Sequence, residues 1–260
     1  MQKYPLVSII ITNYNKRKYI KDCIYSVQNQ TYKKKQIIVI DNLSTDGSNV
    51  LIKKFKDIIF LKNNLNKTAA LNQINSIQIG LDNADGDLIF LLDGDDYFKK
   101  DKIQNVVKYF YENNELKFLC DIPIIFNQNI KKYFQYKISR LNNSYIWPTT
   151  FPTSSLCFEK KFLIQSMRKI YNHRFENLEI DFRLCYFLNI LREKKKIINK
   201  SYTYYRQVND GVMSNLPKFS KKWWIKRFQA YEYFFLQNEK NKIISKKSFG
   251  YFFTNLFKSL

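Results

Sequence analysis

An uninterrupted apolar run, Leu88 to Leu92, leads directly into the acidic cluster Asp93-Gly94-Asp95-Asp96. An apolar run of this length, bounded by turn-forming residues, is typical of a strand buried on both faces of a sheet. The carboxylates follow the strand where it leaves the core, and open α/β sheets bind ligands just beyond the carboxyl ends of their strands. Because close carboxylates repel one another unless a cation lies between them, the cluster predicts the metal-binding side of a phosphate-handling site.

The chain before this cluster alternates between strand-like and helix-like patterns. Four apolar segments are predicted to be strands: residues 7–12, 37–40, 58–61 and 88–92. With helices predicted between them, this order is typical of a mostly parallel sheet with helices on both faces. Polar residues follow three of these strands, at Thr12 to Tyr14, at Asp41-Asn42 and at Asp93 to Asp96. We therefore expect these residues to converge on one edge of the sheet.

Composition and short motifs exclude several classes of protein. The chain of 260 residues is 45% hydrophobic and 17% aromatic, which argues against a disordered protein. Neither a GxGxxG nor a P-loop motif is present, so a nucleotide would be held by side chains and a metal.

The formal net charge is +22, and the segment after residue 190 holds 16 Lys or Arg against 4 Asp or Glu. A basic, aromatic segment suggests an anionic partner; a membrane surface is favoured over nucleic acid, for which no reading motif is present.

The cysteines and the N-terminus bear on the expected compartment. The four cysteines form no CxxC pair and lie in apolar surroundings, which predicts buried free thiols in a reducing compartment. The N-terminus runs directly into a strand without a signal-peptide pattern, and no apolar stretch approaches the ~20 residues of a membrane span. We expect a cytoplasmic protein, with peripheral contact at the inner face of the plasma membrane left open.

Four segments together resemble a known family. They are VSIIITNYN at 7–15, QIIVIDNLSTDGS at 36–48, NKTAALN at 66–72 and ADGDLIFLLDGDD at 84–96. In order and spacing they are similar to the family 2 glycosyltransferases of the GT-A fold. The resemblance implies a Rossmann-like, mostly parallel sheet flanked by helices. It also implies transfer of a sugar from a nucleotide diphosphate-sugar to an acceptor hydroxyl, with inversion at the anomeric carbon.

The resemblance also implies roles for individual residues on the donor side. Thr12 and Tyr14 match positions that hold the base, Asp41 and Asn42 match the pair that contacts base and ribose, and Lys67 and Asn72 lie in the segment that closes over base and phosphate. Asp93, Gly94 and Asp95 match the DxD motif, whose acids hold the ribose and a Mn²⁺ or Mg²⁺ ion. Asp96 belongs to the same cluster, and whether Asp95 or Asp96 is the main metal ligand stays open.

Two departures from the family pattern affect the expected donor. Asn42 stands where many relatives carry a second acid, and Leu43 stands where many carry glycine. An amide can donate as well as accept hydrogen bonds, so the base preference can differ. A UDP-sugar is therefore favoured, with dTDP- and GDP-sugars as alternatives.

The catalytic base is expected near residue 180. By the resemblance, Asp181 matches the aspartate that acts as base, because an aromatic residue follows it and Leu184 lies three positions on. Ile180 replaces the usual first acid, and Glu179 and Glu176 are alternatives if the register differs. A helix-capping role for Asp181 is the competing interpretation.

A later segment is also similar to the family. Arg206 lies in a Tyr-Arg pair of the kind that precedes a loop over the diphosphate, and residues 209–214 would form that loop. A phosphate contact and a packing role are both open for Arg206. No QxxRW motif follows, which favours addition of a single sugar.

The expected domain organisation has two parts. A GT-A catalytic domain covers residues 1–215, with a nucleotide-sugar half at 1–115 and an acceptor half at 116–215, and a basic, aromatic helical extension covers 216–260. Two apolar stripes lie in the extension, one through Trp224, Phe228, Tyr231 and Phe235 and the other at residues 249–257. The stripes either pack on the catalytic domain or lie in a membrane interface.

The acceptor is expected to be a saccharide or a lipid-linked saccharide, in cell-surface polysaccharide or glycolipid synthesis. Two alternative functions remain: a non-catalytic relative that binds a nucleotide-sugar or glycan, and a nucleotidyltransferase that would release pyrophosphate.

Overall fold

The computed structural model of the protein describes residues 4–137, 150–191, 195–208, 216–237 and 249–258. Within these residues there are eleven strands: β1 (Val7–Asn13), β2 (Lys35–Asp41), β3 (Ile59–Lys62), β4 (Leu88–Asp93), β5 (Tyr97–Phe98), β6 (Phe118–Asp121), β7 (Ile124–Asn127), β8 (Lys132–Gln135), β9 (Leu156–Glu159), β10 (Lys195–Ile198) and β11 (Thr203–Gln207). The α-helices are α1 (Ile20–Gln28), α2 (Ser48–Ile52), α3 (Ala69–Asp82), α4 (Lys102–Glu112), α5 (Lys160–Ile170), α6 (Ile180–Leu191), α7 (Lys221–Gln237) and α8 (Phe249–Phe257).

The larger sheet has seven strands in the order β10-β6-β9-β4-β1-β2-β3. Strand β1 is parallel to both β2 and β4, and the register pairs Asn13 with Asp41 and Thr12 with Asp93. The polar ends of the three strands therefore lie side by side, which confirms that they converge on one edge of the sheet. Strand β9 is antiparallel to both of its neighbours, so the sheet is mixed rather than wholly parallel.

Strands β1 and β4 are continuous apolar runs because helices cover both faces of the sheet. Ile9 and Ile11 belong to a buried cluster with residues of α1 and α4. Ile10, which points to the opposite face, belongs to a second cluster with residues of α3, α5 and α6. The four cysteines at positions 23, 120, 157 and 185 are free and buried in these layers, as expected from their apolar surroundings.

The second sheet has four strands in the order β5-β11-β7-β8. Residues 196–206 alternate in a way that predicts one strand, but the chain leaves β10 in the larger sheet and enters β11 in the smaller one. The Asp121 carboxylate accepts hydrogen bonds from the backbone N–H groups of Tyr202 and Thr203, both at 2.8 Å, and so fixes this change of direction. Residues 117–126, whose pattern also predicts one strand, are likewise divided into β6 and β7 near Pro123.

A buried polar network joins the two sheets. The Lys102 Nζ lies 3.0 Å from Asp121 Oδ1, and both side chains are 0% exposed. Lys102 Nζ also donates to the Ser154 carbonyl oxygen and to Thr203 Oγ1. Removal of one partner from such a buried pair typically costs about 3–5 kcal/mol. The network therefore holds α4, β6 and β11 against the segment that contains Ser154, which borders the site described below.

The C-terminal helices pack in series on the rest of the protein. Tyr233 of α7 makes edge-to-face contacts with Phe175 and Tyr186, at ring-centroid distances of 5.2 and 5.6 Å. Helix α8 packs on α7 instead, with Trp224 stacked on Phe257 at 4.9 Å. In the part of the chain that the structure describes, no helix combines the length and apolar content required to cross a bilayer.

Candidate active site

A large cleft lies beyond the carboxyl ends of β1, β2 and β4, with a volume of about 1270 Å³. Its walls combine the first half of the chain with the start of α6, the end of β11 and one side of α7. Ten of the residues singled out from the sequence line it: Thr12, Tyr14, Asn42, Lys67, Asn72, Asp93, Gly94, Asp95, Asp181 and Arg206. Asp41 and Asp96 are buried behind its surface.

Asp41 supports the cleft from below. One carboxylate oxygen accepts a hydrogen bond from Asn13 Nδ2 at 2.6 Å, and the other accepts from the Ser44 backbone N–H at 3.2 Å. Asn13 Nδ2 also lies within hydrogen-bond distance of the Ser44 and Ser48 hydroxyls. These contacts indicate that Asp41 positions the end of β1 and the turn after β2.

Asn42 lines the cleft and holds the segment that carries Lys67. Its Nδ2 donates to the carbonyl oxygens of Asn63 at 3.0 Å and Leu65 at 2.9 Å. An aspartate could not donate either bond, which gives a physical reason for an amide at this position. The next residue, Leu43, has φ of +53°, in the left-handed region that favours glycine.

Asn72 shapes the turn before α3. Its Oδ1 accepts a hydrogen bond from the Lys67 backbone N–H at 2.9 Å, and its Nδ2 donates to the Lys67 carbonyl oxygen at 3.3 Å. Lys67 itself is exposed at the cleft. Asn72 therefore acts on the site through the backbone of Lys67.

Asp93 ends β4 at the floor of the cleft. Its Oδ1 accepts hydrogen bonds from Thr12 Oγ1 at 2.9 Å and from Gln73 Nε2 at 2.7 Å. Burial, together with repulsion from Asp95, raises the pKa of Asp93 to about 6, although the two hydrogen bonds oppose this shift. Gln73, in the first turns of α3, was not identified from the sequence.

Gly94 allows the end of β4 to lie close to β1. Its backbone N–H donates to the Thr12 carbonyl oxygen at 2.9 Å. A Cβ atom at Gly94 would lie 3.1 Å from that oxygen and 3.2 Å from Asn13 Oδ1. A side chain at Gly94 would therefore require these atoms to shift by a few tenths of an ångström at the point where the polar ends of β1 and β4 meet.

Asp95 and Asp96 face in different directions. Asp95 lines the cleft, where its Oδ2 lies 3.0 Å from the Nζ of Lys16, a second residue that the sequence did not single out. Asp96 is 1% exposed; its carboxylate accepts from Ser154 Oγ at 2.5 Å and from the Arg206 backbone N–H at 2.7 Å. Of the two acids left open by the sequence, Asp95 is therefore the one that reaches the cleft, and the contacts of Asp96 favour a structural role instead of metal binding.

Arg206 packs against aromatic rings and also lines the cleft. Its guanidinium lies between the rings of Tyr19 and Tyr97, at 4.8 and 5.1 Å from their centroids, which is a packing arrangement. It also lines the cleft and lies 3.5 Å from Asp22 Oδ2. The aromatic rings fix the direction of the guanidinium, so it presents a positive charge at a defined position.

Asp181 lies at the start of α6 and lines the same cleft as the DxD acids. The Phe182 backbone N–H donates to its Oδ1 at 2.7 Å. Burial and the charge of Glu179 raise the pKa of Asp181 to about 7. Glu179 also lines the cleft, whereas Ile180 is buried and Glu176 is an exposed residue outside the cleft lining.

The cleft carboxylates offer a partial set of metal ligands. Among the described residues, no group of three or more His, Cys, Asp and Glu side chains is arranged to hold a metal ion. Mg²⁺ is usually bound by only one or two carboxylates together with water and substrate phosphates. Asp95 and Asp93 supply hard oxygen donors of the kind that Mn²⁺ and Mg²⁺ prefer, so this donor set fits a metal that the substrate completes. The loop expected at 209–214 lies outside the described residues.

Comparisons with known proteins agree with this geometry. The model of the family described as Glycosyl transferase family 2 matches residues 8–173. An uncharacterized glycosyltransferase of Haemophilus influenzae is 29% identical over 98% of this chain and 77% of its own length. The Escherichia coli UDP-Glc:alpha-D-GlcNAc-diphosphoundecaprenol beta-1,3-glucosyltransferase WfaP is 41% identical, over 44% of this chain and 44% of its own length.

A solved structure extends the likeness to the fold. The crystal structure of S. aureus TarS 1-349 in complex with UDP-GlcNAc has a TM-score of 0.64 at 15% identity, covering 97% of this chain and 70% of that chain. At this identity the likeness bears on the fold alone, and it confirms the GT-A architecture expected from the sequence. Since the family model covers more than half of the chain, and the first half supplies the family's motifs at the edge of one sheet, this chain belongs to glycosyl transferase family 2.

Proposed function

We propose that this protein transfers a sugar from a nucleotide diphosphate-sugar to a hydroxyl group of a saccharide or lipid-linked saccharide, with inversion at the anomeric carbon. The observation that carries the proposal is the presence of Asp181 in the same cleft as Asp93 and Asp95. One side of the cleft can hold the leaving diphosphate while the other activates the incoming hydroxyl. WfaP, by its name, uses UDP-Glc and a diphosphoundecaprenol-linked acceptor, and TarS binds UDP-GlcNAc, so a UDP-sugar and a lipid-linked acceptor are the favoured substrates.

The donor is proposed to lie along the ends of β1, β2 and β4. Tyr14 is 56% exposed at the cleft and offers an aromatic face to the base, beside Thr12 and Asn42. Lys67, Lys16 and Arg206 place positive charges around the position proposed for the diphosphate. These charges stabilise the leaving group as negative charge accumulates on it.

A Mn²⁺ or Mg²⁺ ion held by Asp95 and Asp93 would act as a Lewis acid on the diphosphate oxygens. Two features of the cleft support binding of a cation by these two carboxylates. Thr12 and Gln73 hold the Asp93 carboxylate in place, and Asp95 is turned into the cleft while Asp96 is turned away. Lys16, which lies against Asp95, would exchange that contact for one with a donor phosphate when the carboxylate binds a cation.

Asp181 is proposed to act as the general base. The acceptor hydroxyl transfers its proton to the Asp181 carboxylate as its oxygen forms a bond to the anomeric carbon, while the bond from that carbon to the phosphate oxygen breaks on the opposite side. A base works best when its pKa lies near the working pH, and burial brings Asp181 into that range. The backbone N–H of Phe182 fixes the carboxylate that receives the proton.

The experiment that tests this function is a panel of nucleotide-sugars, each incubated with the protein and Mn²⁺, with and without saccharide acceptors. We expect one class of donor to raise the thermal midpoint and to release its nucleoside diphosphate, faster with acceptor. Stabilisation by a donor without release under any condition would instead favour a non-catalytic binder. Release of pyrophosphate would favour a nucleotidyltransferase.

The C-terminal helices suggest where the protein acts. The outer face of α8 exposes Phe249, Phe252 and Leu256, at 78%, 63% and 52%. Aromatic contacts connect this face through Phe253, Phe257 and Trp224 to Phe219, which is 71% exposed. Exposed lysines at 218, 221 and 222 lie beside Phe219 in the chain. An apolar face bordered by lysines fits a membrane with anionic headgroups, so we propose peripheral attachment at the cytoplasmic face of the plasma membrane.

A further inference from the structure

We propose that Lys226, in the C-terminal helix α7, is a positioning residue of the active site, which holds Glu179 in an ion pair so that Asp181 can serve as the base. The inference rests on the proposed glycosyl transfer and adds a residue that lies outside the family motifs. It also gives α7 a part in the reaction beyond covering the core.

The ion pair is buried at the edge of the cleft. Lys226 Nζ donates to Glu179 Oε1, and the two side chains are only 9% and 16% exposed. Lys226, Glu179 and Asp181 all line the same cleft. A lysine so far removed from water requires a partner, and Glu179 supplies it.

Two contacts further along α7 hold the helix that carries this lysine against the segment that leads into α6. Two turns beyond Lys226, Tyr233 packs edge-to-face on Phe175. Closer to it, the Asn177 backbone N–H donates to Gln229 Oε1 at 2.8 Å. The segment that leads into α6 is therefore fixed to α7 shortly before Glu179, and the ion pair does not depend on the freedom of a surface side chain.

The charges that face Asp181 explain why the pair matters. Burial, Glu179 and Asp93 all raise the pKa of Asp181, whereas the Phe182 N–H and Lys226 lower it. Tyr136 and Tyr205 also face Asp181, and burial together with nearby carboxylates raises the pKa of both phenols, so they stay neutral. Glu179 without Lys226 would lose its ion-pair partner. Although the Arg183 guanidinium also interacts with Glu179, the negative charge of Glu179 would act more strongly on Asp181, which would bind a proton more tightly.

A purely structural role for Lys226 would give a different result. If the pair only attached α7, its loss would lower stability and reduce activity equally at every pH. If it acts on Asp181, its loss would move the acidic limb of the pH–rate profile. The acidic limb lies at the pH at which the base becomes protonated. A higher pKa of Asp181 therefore moves the limb to higher pH.

The test is the pH dependence of kcat/KM for the wild type, Lys226→Met, Lys226→Arg and Glu179→Gln, measured with the donor that the panel identifies. We expect Lys226→Met to move the acidic limb up by about one pH unit, so that activity near the limb falls roughly tenfold and recovers in alkaline buffer. Lys226→Arg should keep the wild-type limb. Glu179→Gln removes the negative charge that raises the pKa of Asp181 and should move the acidic limb to lower pH. This variant tests the inference even if Lys226→Met does not fold.

A matched control uses a second ion pair of α7, outside the cleft. Arg174 Nη2 lies 2.8 Å from Glu232 Oε2, and the Arg174 side chain is 63% exposed and lies outside the cleft lining. Arg174→Met makes the same chemical change as Lys226→Met and should leave the limb in place. An unshifted limb in both Lys226→Met and Glu179→Gln would overturn the inference, whereas absence of transfer by the wild type with every donor would overturn the proposed function itself.

Discussion

At the scale of single residues, Asn42 illustrates why an apparently small departure from a family pattern can be structural. Both of its described amide hydrogen bonds go to backbone carbonyls of residues 63 and 65, which precede the exposed Lys67. The acid that is common in relatives would have to leave these two carbonyls without a donor. The segment that we propose to close over the donor is therefore anchored by an amide.

We expect Asn42→Asp to destabilise the protein, although it restores the more common residue. Loss of two hydrogen bonds, at about 1 kcal/mol each, predicts a decrease of about 2 kcal/mol in the free energy of unfolding. Urea denaturation followed by circular dichroism measures this change. Asn64→Asp, an exposed position in the same segment, makes the same substitution and should change the stability by less than about 0.5 kcal/mol. Equal effects of the two variants would contradict the role assigned to Asn42.

The residues that the sequence identified share one property: each lies in a motif whose spacing is tied to a strand end or a helix start. Asp93 and Asp95 follow a buried strand, and Asp181 begins α6. Lys16, Gln73 and Lys226 reach the cleft from polar or amphipathic stretches that look like ordinary surface. In a chain with 44 Lys and Arg residues, no pattern separates a lysine in a cleft from one in solvent. Only tertiary contacts do so.

At the scale of secondary structure, predictability followed burial. Strands β1, β2 and β4 were found because continuous apolar runs are typical of strands covered on both faces. Strand β3 was found from its apolar run, although it lies at the edge of the sheet and none of its four residues is buried. Strand β8 was missed in a region that looked irregular, because all four of its residues are exposed and show no alternation.

Helix α7 is aromatic around much of its circumference. The stripe with Trp224 and Phe228 therefore stood out, although these residues contact α8 and it is Tyr233 and Phe234 that are buried against the rest of the protein.

Helix α8 is the element on which the proposed membrane contact depends. We expect a triple variant, Phe249→Ser, Phe252→Ser and Leu256→Ser, to lose at least about 100-fold in affinity for vesicles, since each large apolar side chain contributes about 1.5–3 kcal/mol when buried. Sedimentation with vesicles of phosphatidylglycerol and phosphatidylcholine measures the affinity. Binding of the wild type should weaken as salt is raised and as the anionic lipid is removed.

The control for this prediction is Tyr111→Ser, which removes a side chain of α4 that is 56% exposed and lies away from α8. Its vesicle binding should match the wild type. If the triple variant bound vesicles as well as the wild type, the membrane proposal would be wrong. If the wild type formed a dimer without lipid and the triple variant did not, the face would be an interface between copies of this chain.

At the scale of the whole molecule, one cleft collects charges from parts of the chain that are distant in sequence. The DxD acids come from the first half, Asp181 from the second and Lys226 from the C-terminal helices. The buried network of Lys102, Asp121, Thr203 and Ser154 connects the two sheets directly behind it, because Ser154 donates to Asp96 and accepts from the Asp93 backbone N–H. The expected boundary at residue 215 therefore separates segments of sequence that share one site.

The division of labour across this cleft is the central claim, and Asp181→Asn tests it most directly. The amide keeps the size of the side chain but cannot accept the acceptor proton as a carboxylate does. We measure donor affinity by calorimetry and the rate of nucleoside diphosphate release with acceptor present, for the wild type and for this variant. The account predicts an affinity within a few-fold of the wild type and a rate lower by about 10²–10⁴-fold. A rate equal to that of the wild type would contradict it.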